Sequence, residues 1–131
     1  MFKAGAIALV IISILHLVML GLDATEYVGH WLDGGLWTWE HWRPVARQSE
    51  ELVKSGFAFW STIGSAAVPM LLLGLFALWC DRRAMPQPRL VFAGFFAWSL
   101  LLLLLMPTSG FFAVALAGAA LVWGEPRGGW A

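Results

Sequence analysis

Four stretches of this chain carry almost no polar side chains, and the polar residues gather between them instead of alternating within them. Residues 4–22, AGAIALVIISILHLVMLGL, are interrupted only by Ser13 and His16. GFAFWSTIGSAAVPMLLLGLFALW covers 56–79, LVFAGFFAWSLLLLLLM covers 90–106 and GFFAVALAGAALVWG covers 110–124. A membrane-crossing helix needs about 20 mostly apolar residues, with a workable range of about 17 to 25. The pattern therefore predicts an all-α polytopic membrane protein: one domain, 1–131, built as a four-transmembrane-helix bundle. A long Trp-rich loop, 23–55, would connect helices 1 and 2.

The breaks between stretches have local causes. Pro107 lacks a backbone donor and disfavours helix at the residue before it, so the third stretch should end there, with Thr108 or Ser109 capping the fourth. Stretches three and four then form an antiparallel hairpin. Pro69 sits inside the second stretch and frees the carbonyl of Ser65, which predicts a kink and a small cavity near His16. Within the long connection, Pro44 suits a first helical turn, and Ser49 followed by Glu50 and Glu51 has the form of a cap with acids at a helix start. Local helices are expected there, because a structureless connection of that length is unusual. Lys3 before the first stretch also fits an export signal. The apolar run is longer than the usual core of about 7 to 15 residues, and GLDATEY offers no clean cleavage site, so an uncleaved helix is expected.

Composition agrees with the pattern. Hydrophobic residues are 60% of the chain and charged residues 12%, with mean hydropathy +0.77, whereas soluble domains are about 45–50% apolar and about 25% charged. Net charge is zero, so no basic field exists to hold nucleic acid. The single cysteine, Cys80, rules out an intrachain disulfide and a cysteine-based zinc framework. Basic residues in short loops set orientation. With a cytoplasmic amino terminus, Lys3, Arg82, Arg83, Arg89 and Arg127 lie inside and Arg43, Arg47 and Lys54 outside, which favours both termini in the cytoplasm. The outer segment then carries Asp23, Glu26, Asp33, Glu40, Glu50 and Glu51 and is acidic by three charges.

Chemistry is sparser. On a helix continued past the first stretch, His16, Asp23, Glu26, His30 and Asp33 fall within a sector of about 100°. They would form a polar track, although glycines at 21, 29, 34 and 35 weaken that helix. His16 is the one ionisable side chain well inside a predicted span, and such a residue is a functional-site hypothesis by default. The competing expectation is a plain interhelical hydrogen bond to Ser61, Thr62, Ser65 or Ser99. A metal held by Glu26, His30, Glu40 and His41 is chemically possible but lacks any recognised ligand spacing. No nucleophile sits in a catalytic motif, and no cofactor is specified.

Tryptophan has a simpler reading. Trp31, Trp37, Trp39, Trp42 and Trp60, with Tyr27, map to the outer boundary and Trp79, Trp123 and Trp130 to the inner one, the distribution of two interfacial anchor belts. Trp98, in mid-span, is expected to pack. Small residues at Ala4 and Ala8, Ser61 and Ser65, Ala113 and Ala117, and Ala115 and Ala119 are candidates for close helix contact.

The run FAFWSTIGSAAVPMLLLGLFALWCDRR, residues 57–83, together with His16, GGLW at 34–37, Pro88 and Trp98, resembles a family of small bacterial four-helix integral membrane proteins known only as a domain of unknown function. The resemblance implies a multi-pass protein of the bacterial inner (plasma) membrane and assigns no activity. Size and helix count are more distantly similar to the DoxX-like four-helix proteins, on architecture alone. The expected role is therefore binding. The partners would be the lipid bilayer, a membrane protein for which this is a subunit, a second copy, or a lipid or apolar ligand. A membrane-embedded enzyme or redox accessory using His16, Asp23, Glu26 and His30 is the alternative.

Overall fold

The computed structural model describes residues 1–131 and is all-helical, without a β-strand. Helix α1 covers Phe2–Ala24 and runs through a 3-10 turn, Thr25–Tyr27, into α2, Val28–Leu32. Short 3-10 turns at Trp39–Trp42 and Val45–Arg47 precede α3, Glu50–Ser61. Then come α4, Ala67–Arg82, α5, Arg89–Leu105, and α6, Phe111–Trp123. The continuous helix Phe2–Leu32, 31 residues, is the one long and apolar enough to cross a membrane by length and composition, and little of it is buried. The chain divides into two compact units, residues 1–14 with 69–131, and residues 15–68.

Two expectations about the elements need correction. The stretch 56–79 is not one helix: α3 stops at Ser61, and Thr62–Ala66 are turns and bends before α4 begins. Pro69 therefore makes no mid-helix kink. It stands in the first turn of α4, where its missing N–H is not needed. Local side-chain bonding ends α3. Thr62 Oγ1 donates to Ala58 O at 2.7 Å, Ser65 Oγ donates to Thr62 O at 2.6 Å, and Ala67 N donates to Ser65 Oγ at 3.2 Å, which restarts the helix. Nor is 23–55 one loop. Its first ten residues continue the first helix, its last six open α3, and only 33–49 is irregular.

In the first unit, the core gathers Phe2, Ala6 and Leu9 of α1, Met70 and Ala77 of α4, Phe92 of α5, and Val114, Ala117 and Leu121 of α6. Glycine sets how closely these helices approach. A Cβ on Gly5 would lie 2.8 Å from Ala117 O, and one on Gly74 would lie 2.8 Å from Val10 Cγ2. The contact face of α1 runs through Phe2, Gly5, Ala6, Leu9 and Ser13, while Ala4 is exposed, one position off the expected small-residue pair. The α5–α6 hairpin turns at Met106–Gly110: Ser109 Oγ donates to Met106 O at 2.6 Å and accepts from Phe111 N at 3.4 Å. Trp98 packs between Phe95 and Phe111, with ring centroids 5.7 and 6.0 Å away.

The second unit is assembled on α3. Ser49 caps it, its hydroxyl accepting from Leu52 N at 3.4 Å, with Glu50 and Glu51 in the first turn. Gln48 Nε2 donates to His41 O at 3.0 Å and Arg43 O at 2.8 Å, closing the segment 33–49 on itself. Gly34, at φ +77°, ends α2 in the left-handed conformation that glycine adopts freely. Trp37, Trp39 and Trp42 are left 80–90% exposed.

The glycine contacts predict opposite outcomes at two helical sites. Gly5→Leu should lower stability by about 1–3 kcal/mol or abolish folding, because the added side chain meets α6 backbone. Gly21→Ala, with nothing within 4 Å of the new Cβ, should raise it by about 0.5–1 kcal/mol. Urea unfolding of the purified chain reads both.

Candidate functional site

The 3-10 turn between α1 and α2 faces the middle of α3 across an open cleft of about 590 Å³. Leu20, Ala24, Val53, Phe57, Ala58 and Ser61 form its walls, with Asp23, Glu26, Tyr27 and Lys54 supplying the polar groups. Asp23 and Glu26 are thus brought together, as the helical sector implied. His16 and His30 are not among the lining residues; they bond Ser61 and Ser55 of α3.

His16 Nε2 lies 3.1 Å from the carbonyl of Ser61, the last residue of α3. A carbonyl only accepts, so Nε2 carries the hydrogen. That carbonyl would ordinarily receive the N–H of Ser65, which instead bonds Thr62 O at 3.0 Å. His16 therefore fills an acceptor that the helix break leaves free. Its partner is one of the residues expected from sequence, reached through the backbone.

His30 Nδ1 lies 2.7 Å from Ser55 Oγ, and Trp31 Nε1 donates to the same hydroxyl at 3.0 Å and to Ser55 O at 3.2 Å. With Trp31 as donor, the serine hydrogen is free to go to His30 Nδ1, which puts the imidazole hydrogen on Nε2. Ser55 is fully buried. It pins α2 to α3, and Trp31 is half-buried with its ring edge against Phe59. Sequence reasoning passed over Ser55. The signal was available in the spacing of Leu52, Ser55, Gly56 and Phe59, one face of an amphipathic α3.

Charge within the cleft is unequally matched. Lys54 Nζ is 2.6 Å from Glu50 Oε1, and this pair holds the Glu50 carboxyl below and the Lys54 amine above its ordinary range. Asp23 and Glu26 form no ion pair. The Tyr27 phenol is pushed above its usual 10.0, first by hydrogen bonding to Glu26 and then by desolvation. No three His, Cys, Asp or Glu side chains stand where they could share a metal ion, so Glu26, His30, Glu40 and His41 do not form a metal cage.

These features sit in a chain whose family is known by sequence. The protein belongs to DUF6463, a family of unknown function, whose model matches residues 2–128. No curated protein and no solved structure matches it. Membership in DUF6463 thus brings no assigned residue to the cleft, and the roles of Asp23, Glu26 and Tyr27 rest on their geometry.

Two measurements check this geometry. Ser55→Ala should cost about 1–3 kcal/mol, since it leaves the Trp31 N–H with one weaker partner and His30 Nδ1 with none; urea unfolding monitored by tryptophan fluorescence measures it. Tyr27 is the only tyrosine, so tyrosinate absorbance reports it alone. Its titration should lie above 10.0 and fall back in Glu26→Gln. The sign is that of a group raised on folding: its stabilisation is complete below the unfolded-state pKa and is lost as pH rises through the folded one.

Proposed function

We propose that this is a small integral membrane protein of four apolar passes that binds an amphiphilic or apolar molecule in the cleft between the α1–α2 turn and α3. The carrying observation is an inverted distribution of side chains. Ile7, Ile11, Ile14, Leu15, Val18 and Met19 of α1, Leu101, Leu104 and Leu105 of α5, and Phe112 and Leu116 of α6 are exposed, while Ser13, Ser55, Thr62, Gln87 and Ser99 are buried. A soluble monomer rarely leaves a contiguous apolar patch beyond a few hundred Å² in water. Hydrocarbon makes that surface favourable.

Each pass has a physical case. The helix Phe2–Leu32 is about 45 Å long against a hydrocarbon core of about 30 Å, so its acidic end would reach past the headgroups. The 17 residues of α5 meet the lower limit, and the 13 of α6 need local thinning of the bilayer or tilt in their neighbours. The α3–α4 pass is broken, which lipid tolerates only where freed backbone groups find partners. Thr62, Ser65 and His16 supply them. In this reading both termini are cytoplasmic, 33–49 is external with Trp37, Trp39 and Trp42 at headgroup depth, and the membrane is a bacterial inner one.

Binding is favoured over catalysis because the cleft is walled mainly by apolar side chains, with the carboxylates of Asp23 and Glu26 outside any ion pair. The 2.7 Å contact of His30 with Ser55 is the one observation that favours an enzyme. Ser55 is fully buried and already accepts from Trp31, so no substrate reaches it.

Expressed in a bacterium, the chain should stay with membranes through alkaline extraction. A cysteine placed at Thr38 should react with an impermeant maleimide in intact cells, and one at Arg83 only after permeabilisation. Recovery in the soluble fraction, or the reverse labelling, overturns the membrane reading or its orientation respectively. Ala58→Trp, which fills the cleft, should reduce co-purifying lipid seen by native mass spectrometry; unchanged lipid would exclude the cleft as the binding site.

A further inference from the structure

We propose that the end of the first unit where Lys3, Arg82, Arg83, Arg89 and Arg127 gather is a clamp for the phosphates of anionic phospholipids; the inference rests on the membrane reading above. The assembly is held by the carboxyl-terminal tail. Gln87 N donates to Gly129 O at 3.0 Å and Ala131 N donates to Gln87 O at 2.8 Å, so the tail lies along the α4–α5 turn. Gln87 itself is buried, its Nε2 donating to Ala77 O at 3.1 Å. Trp130 then meets Phe2 edge-on at 5.6 Å and Phe92 at 6.1 Å, bringing the start of α1, with Lys3, to the same end as Arg89.

The balance of charge there is strongly positive. All five basic side chains are exposed, and the acids nearby are Glu125 and Asp81. Asp81 is buried and turned inward: its Oδ1 accepts Arg127 N at 2.8 Å and its Oδ2 is 4.0 Å from Arg127 Nε. It organises the turn and leaves most of the surface charge unmatched.

Two of the arginines are already oriented. The Arg83 guanidinium lies 5.0 Å from the Trp79 ring centroid, and that of Arg89 lies 5.8 Å from the Trp130 centroid. Stacking on an indole fixes the guanidinium plane without using its N–H groups, which leaves the fork free to grip two oxygens of a phosphate. A phosphate carried by a lipid fits better than one free in water, because the arginines adjoin an exposed apolar surface. Leu90 and Val91 come directly after Arg89, and Trp79 and Trp123 are likewise exposed. A headgroup phosphate at the edge of hydrocarbon would meet both.

The test uses the full chain in a zwitterionic detergent, with phosphatidylglycerol, phosphatidylcholine or inorganic phosphate added and binding monitored by native mass spectrometry and by the thermal midpoint. Phosphatidylglycerol should bind and raise the midpoint, and phosphatidylcholine should do so far less. Affinity for phosphatidylglycerol should fall roughly tenfold or more in Arg83→Gln with Arg89→Gln, and should be unchanged in Arg43→Gln with Arg47→Gln. Equal effects of the two lipids, wild-type affinity in the glutamine pair, or an equal shift with inorganic phosphate would each overturn the proposal. If the glutamine pair does not fold, Arg83→Lys with Arg89→Lys serves: it keeps the charge but loses the fork, so intermediate affinity supports the clamp and wild-type affinity refutes it. A chain that enters no vesicle of any composition would instead refute the membrane reading.

Discussion

The rest of the structure depends on the need of backbone polar groups for partners where the surrounding side chains are apolar. An unpaired buried carbonyl or N–H costs about as much as a hydrogen bond is worth, and in hydrocarbon several kcal/mol. Helices meet the need internally, and the chain is accordingly helical almost wherever it is apolar. The informative place is where it is apolar and not helical, at Thr62–Ala66. There the side chains of Thr62 and Ser65 bond the backbone within the break, and His16 comes from α1 to the carbonyl of Ser61. A histidine in an apolar helix thus has a structural reason to exist that involves no proton traffic.

The same constraint explains the residues inside. Ser13 donates to Leu9 O at 2.8 Å and Ser99 to Phe96 O at 2.7 Å, each within its own helix. A hydroxyl bonded in this way is small and polar yet fully satisfied, so helices can approach over it as they do over Gly5 and Gly74. Bulky apolar side chains are then displaced outward, the distribution on which the proposed membrane reading rests.

Much of this was legible in the chain. The first, third and fourth apolar stretches became α1, α5 and α6 nearly to the residue, Pro107 marked the hairpin, and Ser49 marked the start of α3. The break in the second stretch was not, because hydropathy counts threonine and serine as mildly polar and cannot tell whether their hydroxyls will bond their own backbone. The polar track was half legible. Asp23 and Glu26 do share the cleft, whereas His30, placed in the same sector by a steady 100° rotation, bonds Ser55 instead. The 3-10 turn Thr25–Tyr27 intervenes, and three residues at its tighter winding rotate the residues of α2 by about 60° relative to an unbroken α-helix. A sector drawn across an unrecognised change of helix type loses its register.

What this leaves for function is decided by which polar groups are already engaged. Asp81, Gln87, Ser55, Thr62 and Ser65 each serve a backbone group or a neighbouring ring, and His16 and His30 are tied to α3. Asp23 and Glu26 at the cleft, the latter bonded by Tyr27, and Arg83 and Arg89 near the tail, stacked on indoles that leave their N–H groups free, stand at the edges of apolar surface and not within it. Charges at an apolar edge recognise molecules that are themselves charged at one end and apolar at the other. That pattern, repeated with opposite sign in the two units, is what supports the proposed amphiphile over a small polar substrate.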